Sequence, residues 1–543
     1  MLLEIKDLTV SYGAALPAVE RVSLQLQAGE SLGLVGESGC GKSTLGRSLI
    51  QLLPSHAQVS GQISVADTSV LELSAGQLRH LRGEKVALIF QDPMTRLNPL
   101  MTIEAHGLEV LRSHCPNLSK LQAKQRVHQA LHAVRIDPKR ARQYPHEFSG
   151  GMRQRVTIAL ALLLNPALLI ADEPTTSLDV TVAAEILQEL TQLRREKNMG
   201  LLLITHDLGL VARYCDRIAV MYDGAIVETG DALQVFRHPQ HPYTQKLLRS
   251  VIHFKDPANR ETESNRSGQN RSDRPLLKVS NLVKHYATGS NLLARWFDRA
   301  DSLVRAIDGV SFNIYPGDIF GVIGESGSGK STTGRAILQL VKPDRGSVEF
   351  DGVELTALKG EKLRRLRPQM QTIFQDPRAC LNPRMTVLES VADPLLIHKL
   401  VPNLATAQEK VLSILERVGL PRQFASRLPQ DLSGGQLQRV AIARALITNP
   451  RFLICDEPVS MLDATIQSQI LHLMLEIKQE FNLTFMFITH DLGVAQSFCN
   501  RLAVMRQGKI VEQGTTESLL GNPQHAYTMA LLNSIPRLPA LEI

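Results

Sequence analysis

What this chain lacks narrows its class first. No uninterrupted apolar run approaches the roughly 18 residues that a membrane-spanning helix needs; the best, Val156 to Leu164, is far too short. The opening Met1-Leu2-Leu3-Glu4-Ile5-Lys6-Asp7 puts charges where an export signal needs an apolar segment, which argues against secretion. Six cysteines (Cys40, Cys115, Cys215, Cys380, Cys455 and Cys499) show neither a pairing pattern nor metal-ligand spacing, so reduced thiols in the cytosol are the expectation. A strong charge of one sign is missing too. The net +7 over 543 residues is compatible with an anionic leaflet or nucleic acid, and a merely solvated surface explains it equally well. What remains is the composition of a globular protein, 43% hydrophobic and 21% charged, too long for one ordinary core.

The chain repeats itself. Gly36-Glu37-Ser38-Gly39-Cys40-Gly41-Lys42-Ser43-Thr44 returns as Gly324-Glu325-Ser326-Gly327-Ser328-Gly329-Lys330-Ser331-Thr332, an offset of 288. From Gln91 and Gln375 onward the offset is 284, and Ser149/Ser433, Asp172/Asp456, His206/His490 and His241/His525 all obey it. A constant offset over so long a stretch means two copies of one domain rather than a short solenoid repeat. Residues 1–252 and 276–543 are the expected domains, with tail extensions from about 231 and about 515. Between them, residues 253–275 are rich in Arg, Asn, Ser and Glu and read as a polar linker, spanning about 25 Å as a flexible coil. The second copy also carries extra residues around Gly289 to Val304, including the only tryptophan, Trp296, read as a peripheral insertion.

Each copy has α/β grammar. Ser31–Val35 and Asp318–Ile323 are short apolar runs ending at a glycine loop. Leu168–Ile170 and Phe452–Ile454 end at Asp-Glu, while Leu201–Ile204 and Phe485–Ile488 end at Thr-His-Asp. Buried parallel strands read as continuous apolar runs, and ligands gather at their carboxyl ends. Both glycine loops fit G-x-x-x-x-G-K-[ST] between a strand and a helix-compatible stretch such as Thr44 to Leu53. Their backbone N–H groups form an anion nest, Lys42 and Lys330 reach β/γ-phosphates, and Ser43 and Ser331 ligate Mg²⁺. Asp172 and Asp456 suit the same ion; the neighbouring Glu173 and Glu457 suit polarisation of an attacking water. Ser149-Gly150-Gly151 and Ser433-Gly434-Gly435-Gln436 each open a helical run 23 residues before an Asp-Glu pair, as a second anion-accepting helix start.

On these motifs the sequence resembles the ATP-binding-cassette family over nearly its whole length. The resemblance implies an α/β fold of two P-loop nucleotide-binding domains in tandem. Each has a RecA-like core, an antiparallel β subdomain and a helical signature subdomain. It implies ATP and Mg²⁺ as cofactors and roles that spacing alone does not supply. Tyr12 and Tyr286 resemble adenine-stacking aromatics, Gln91 and Gln375 the Q-loop glutamines that touch Mg²⁺ or water, and His206 and His490 the switch histidines. Ser177-Leu178-Asp179 and Met461-Leu462-Asp463 resemble D-loops. In that family the signature of one module closes over the ATP of the other, so Lys42 would share a nucleotide with Ser433, Gly434 and Gly435, and Lys330 one with Ser149, Gly150 and Gly151. Met152 replaces the usual signature Gln, and Met461 a smaller D-loop residue; neither removes an anion-binding N–H or a glutamate, so both sites are expected to turn over.

The tails narrow the branch. His238-Pro239-Gln240-His241-Pro242-Tyr243-Thr244 and Asn522-Pro523-Gln524-His525-Ala526-Tyr527-Thr528 are similar to the C-terminal extension of oligopeptide/dipeptide/nickel importer ATPases, as are the segments after Gln91 and Gln375. The resemblance extends to fused two-cassette subunits that energise uptake of peptides and peptide-like compounds such as microcin C. It implies two membrane permeases and an extracytoplasmic binding protein as partners and a peripheral place on the cytoplasmic face of the inner membrane; the cysteine cluster in the tails of some relatives is absent here, so no iron–sulfur site is expected. A soluble tandem cassette acting on ribosomes or DNA is the rival. A short polar linker, the absence of a cysteine cluster and the importer-type tails oppose it.

Overall fold

A computed structural model describes residues 1–13, 16–90, 96–175, 178, 180–252, 274–287, 303–460 and 462–534. Linker residues 253–273, insertion residues 289–302 with Trp296, and Gln91, Ser177, Asp179 and Met461 lie outside them. The chain divides into two compact units, Met1–Arg249 and Ser250–Ile535.

The first unit holds strands β1 (Leu3–Ser11), β2 (Val19–Leu26), β3 (Ser31–Val35), β4 (Gln58–Val65), β5 (Thr68–Ser69), β6 (Val86–Ile89), β7 (Leu168–Asp172), β8 (Gly200–Ile204), β9 (Arg217–Tyr222) and β10 (Ala225–Asp231). Six form one sheet in the order β10-β9-β3-β8-β7-β6, parallel except for β10; the others form an antiparallel sheet, β2-β1-β4-β5. The apolar runs that read as buried strands are buried at every position: β3, β7 and β8 expose nothing. Period-two alternation then splits their side chains between two cores. Leu168 and Ile170 pack toward the antiparallel sheet with Leu32, Leu34, Leu202 and Ile204. Leu169 and Ala171 turn the other way, with Leu201 and Leu203, against helices. A strand packed on both faces tolerates truncation poorly; Leu→Ala in such a core costs about 2–5 kcal/mol.

Those helices lie between β6 and β7 in sequence. Ile103–His114 starts at Thr102, whose hydroxyl accepts from the Ala105 N–H, and Lys120–Ala133 starts at a capping box formed by Ser119 and Gln122. The third helix, Gly150–Leu162, begins directly after Ser149. Asn165, in the left-handed region at φ 53°, and the following Pro166 stop the apolar run from continuing it.

The second unit repeats the plan with β11 (Leu277–Ala287), β12 (Leu303–Ile314), β13 (Ile319–Ile323), β14 (Arg345–Phe350), β15 (Val353–Glu354), β16 (Met370–Ile373), β17 (Phe452–Asp456), β18 (Thr484–Thr489), β19 (Arg501–Arg506) and β20 (Lys509–Thr515). Their orders are β12-β11-β14-β15 and β16-β17-β18-β13-β19-β20. One expectation is too long. The helix after the first glycine loop is Lys42–Ser48, not a stretch reaching Leu53. Gln51 takes a left-handed conformation (φ 49°) and the Leu52 N–H returns to the Arg47 carbonyl, closing the helix. Gln339 and Leu340 do the same after Lys330–Ile337.

Candidate active sites

Each unit gathers its chemistry at the carboxyl ends of the central strands. After β3 the chain turns at Gly36, φ 158°, where an added Cβ would sit 2.2 Å from the Met221 carbonyl oxygen; Gly324 repeats this 2.1 Å from that of Met505. At Gly41 and Gly329 (φ 103° and 105°) a side chain would strike the carbonyl oxygens of Ala18 and Ala306 at 2.1 and 2.0 Å. Backbone alone fits there, so the loop can wrap an anion with its N–H groups. Buried Lys42 donates to the Gly36 and Glu37 carbonyls at 2.8 and 2.7 Å; Lys330 donates to those of Gly324 and Glu325 at 2.7 and 2.9 Å. The loop thus holds its own ammonium at the mouth of the nest.

The next residue reaches across to β7 or β17. The Ser43 hydroxyl donates to Asp172 Oδ1 at 2.9 Å, and Ser331 to Asp456 Oδ1 at 2.8 Å. Burial raises both aspartates above their ordinary value against the opposing serine hydrogen bond, and the adjacent Glu173 or Glu457 charge adds to the rise. A half-buried hydroxyl–carboxylate pair of oxygen ligands beside a phosphate-binding loop fits a hard divalent cation, whose charge would offset that rise.

Glu173 and Glu457 follow immediately, at φ 47° and 48°, left-handed values that a glutamate adopts at a cost. Each N–H is fixed to the neighbouring strand, at Ile204 O (2.8 Å) and Ile488 O (2.9 Å). The carboxylates meet the histidines at the ends of β8 and β18: His206 Nδ1 is 3.1 Å from Glu173 Oε1, and His490 Nδ1 3.1 Å from Glu457 Oε2. Gln375 Nε2 donates to the same Glu457 oxygen at 2.8 Å. Burial works against protonation of both histidines, yet the hydrogen bond and charge of the partner glutamate raise them. Loop lysine, serine, aspartate, glutamate and histidine are thereby brought together in each unit as the motifs predict.

The other candidates are placed less uniformly. Tyr12 donates to Thr44 Oγ1 at 3.4 Å, beside the loop. Tyr286 is 41% exposed, with Lys284 Nζ 5.6 Å from its ring centre, an accessible aromatic face. Ser149 and Ser433 serve as helix caps, accepting from the Met152 and Gln436 N–H groups. The second cap is a full box, because Gln436 Oε1 also accepts from the Ser433 N–H at 3.0 Å. Met152 cannot do this; its sulfur instead faces Arg140 Nη1 at 3.1 Å.

Sequence reasoning missed two residues. In the tails, read only as turns with a family likeness, Tyr243 accepts a hydrogen bond from the Glu37 N–H at 3.1 Å, and Tyr527 one from the Glu325 N–H at 3.1 Å. Glu228 and Glu512 hold each tail in place, accepting from the Gln240 and His241, or Gln524 and His525, N–H groups. The only signal was the repeated His-x-Tyr-Thr in both tails.

The comparisons agree with this layout. The family model for the ABC transporter matches residues 19–176 and again 307–460. A second, described as the oligopeptide/dipeptide transporter, C-terminal region, matches 227–275 and 511–542, the stretches carrying the two tyrosines. Glutathione import ATP-binding protein GsiA of Escherichia coli (strain K12) is 42% identical over 570 residues, covering 98% of this chain and 89% of that protein. Its namesake from Shigella boydii serotype 4 (strain Sb227) is 42% identical over 567 residues, with the same shares. Among solved structures, the dimeric post-hydrolysis state of an ATP-binding cassette bound to ADP and Pi aligns with 44% of this chain and 98% of its own, at 31% identity and a TM-score of 0.39.

Proposed function

The chain belongs to the ATP-binding-cassette transporter family, and we propose that it is the ATP-hydrolysing subunit of an importer for peptides or peptide-like compounds. The observation that carries the enzymatic part is the duplicated contact set: in both units a buried loop lysine, a Ser–Asp pair and a Glu–His pair converge at the strand ends. The tail regions and the glutathione-import relatives support the cargo class, since glutathione is itself peptide-like.

In this reading the loop N–H groups and Lys42 or Lys330 bind the β- and γ-phosphates. Ser43 with Asp172, and Ser331 with Asp456, would hold Mg²⁺, joined by Gln91 and Gln375. The ion would neutralise phosphate charge. Glu173 or Glu457 orients and polarises the attacking water, while His206 or His490 fixes that carboxylate and faces the γ-phosphate. Tyr12 and Tyr286 take the adenine. Ser149, Gly150 and Gly151 close over the nucleotide at Lys330, and Ser433, Gly434, Gly435 and Gln436 over that at Lys42. Each triphosphate is then held by both modules, and its hydrolysis releases them. Two permeases and an extracytoplasmic binding protein complete the importer on the cytoplasmic face of the membrane, with residues 1–252 and 276–543 as the two modules.

Two measurements test this. Uptake of labelled glutathione and of a tripeptide, in cells carrying the co-purifying permeases, should cease in a Glu173→Gln/Glu457→Gln double variant; undiminished uptake sinks the transport reading. Cysteines placed by Ser38→Cys and Ser433→Cys, in a chain freed of its six native ones, should cross-link only with ATP. Equal cross-linking without nucleotide would count against the shared site.

A further inference from the structure

Away from the nucleotide loops, the first unit carries a side-chain group that ATP hydrolysis does not use. His80 ends the helix Ala75–His80, Glu84 lies in the irregular turn before β6, and His114 ends the helix Ile103–His114. His80 Nδ1 is 3.0 Å and His114 Nδ1 3.1 Å from the same oxygen, Glu84 Oε1. All three ligand atoms lie within 4.8 Å of one another. The backbone is shaped to allow this. Gly83 turns at φ 97°, and an added Cβ would lie 2.9 Å from Leu164 and 3.5 Å from the His114 ring, so the chain passes close beneath that imidazole and delivers Glu84 to it.

From this geometry we infer that His80, Glu84 and His114 form a binding site for one divalent transition-metal ion of borderline softness, zinc being the natural probe. Two imidazoles and one carboxylate are a common three-ligand set for zinc, with water in the fourth place. Bonds of about 2.0–2.1 Å in a tetrahedron put neighbouring ligand atoms about 3.3 Å apart. The two nitrogen–oxygen edges are already within a few tenths of an ångström of that value. His114 is nearly buried, with 12% of its side chain exposed, and acts as the fixed wall; His80, at 67%, is free to swing its ring onto the ion. The ion would pin the end of the helix Ile103–His114 to the segment leading into β6.

The second unit supplies the internal control. The matching stretch there, Leu363-Arg364-Arg365-Leu366-Arg367-Pro368, has neither a histidine nor a glutamate to set beside His398, so it cannot make the same set. There the guanidinium of Arg364 donates to the Ile397 carbonyl at the end of the matching helix, Val387–Ile397. A cation thus ties the same joint in one unit, and the metal would tie it in the other. One ion per chain is therefore expected, not two.

The test uses the tag-free, metal-stripped full-length chain, titrated with Zn²⁺ against a chromophoric chelator, with His398→Ala alongside. The unmodified chain and His398→Ala should each take one equivalent. His80→Ala and Glu84→Gln, exposed changes that leave the fold intact by circular dichroism, should each weaken uptake at least about tenfold. No uptake by the unmodified chain, or equal uptake by both variants through the thiols, overturns the assignment and leaves the group a hydrogen-bonded triad only.

Discussion

The two cassettes make the same strand-end contacts with different support. Lysine to loop carbonyl, serine to aspartate and glutamate to histidine agree between them to about 0.2 Å or better. Around that shared set the scaffolding diverges. Cys40 stands where the second loop has Ser328, Met152 where the second signature has Gln436, and Tyr222, ring centre 4.2 Å from that of Tyr243, where the second unit sets Arg506 over Tyr527. On the proposed mechanism, groups that touch phosphate, metal or water are held to atomic distances by the chemistry. Residues that only hold those groups need to fill space and satisfy an N–H, and several side chains can do so. Any inequality between the sites should therefore arise from the support, not from the reacting groups.

The sharpest way to break the comparison is at the glutamates. Glu173→Gln and Glu457→Gln each remove the carboxylate proposed to polarise water while preserving shape, and the double variant should lose about 100-fold or more of steady-state ATPase activity. Equivalent sites predict equal losses in the two single variants. If one leaves turnover untouched, the matching hydrogen bonds do not translate into matching work.

Smaller effects are expected at the tails. Tyr243→Phe and Tyr527→Phe each leave a loop N–H without its protein acceptor, a cost of about 0.5–1.5 kcal/mol. The affected site should show KM for ATP raised about two- to tenfold, with kcat nearly unchanged. The Tyr222–Tyr243 and Arg506–Tyr527 ring contacts both survive the change to Phe, so the two losses should be similar. A larger fall in kcat than in affinity would show that the tail serves the reaction and not the loop.

At the signature helices the comparison is about stability. Ser149→Ala and Ser433→Ala each remove a cap worth about 1 kcal/mol. Met152→Gln should complete in the first cassette the box that Gln436 completes in the second, raising the thermal midpoint by about 1–2 °C. No change would mean that the Arg140–Met152 contact already compensates.

How much of this was legible follows from how far each signal reaches along the chain. Strand ends carrying motifs were readable because buried parallel strands must be apolar throughout, and Leu168–Ile170 or Phe485–Ile488 stand out for that reason. Loop lysines and Asp-Glu pairs were readable because phosphate chemistry dictates residue type at fixed spacing. Tyr243 was not, since its bond to Glu37 spans 206 residues and a tyrosine in a tail announces no partner. Nor was the left-handed backbone at Glu173 and Glu457, which no property of glutamate foretells. The early helix end at Gln51 was hidden similarly, because glycine or asparagine is the usual sign. His80, Glu84 and His114 went unremarked because two helices and a kink bring them together.

The gentlest test uses acidity. In the second unit burial opposes charge on His490, but the hydrogen bond and charge of Glu457 outweigh it and raise the imidazole above its ordinary 6.5. Burial likewise opposes ionisation of Glu457, and His490 with Lys330 outweighs it, lowering the carboxyl below its ordinary 4.5. A raised imidazole contributes its full stabilisation below 6.5 and loses it as pH climbs through the folded value. A lowered carboxyl contributes fully above 4.5 and loses it as pH falls through its folded value. The pair is therefore strongest between those limits. His490→Gln, neutral at every pH, should lower the thermal midpoint of the nucleotide-free chain by about 1–2 °C there, with the gap closing on the alkaline side. His206→Gln should show the same alkaline loss, since Glu173 raises His206 in the same way. A gap that widens with rising pH would mean that the histidines stand neutral beside their glutamates, and that the two cassettes share a geometry without sharing its charge.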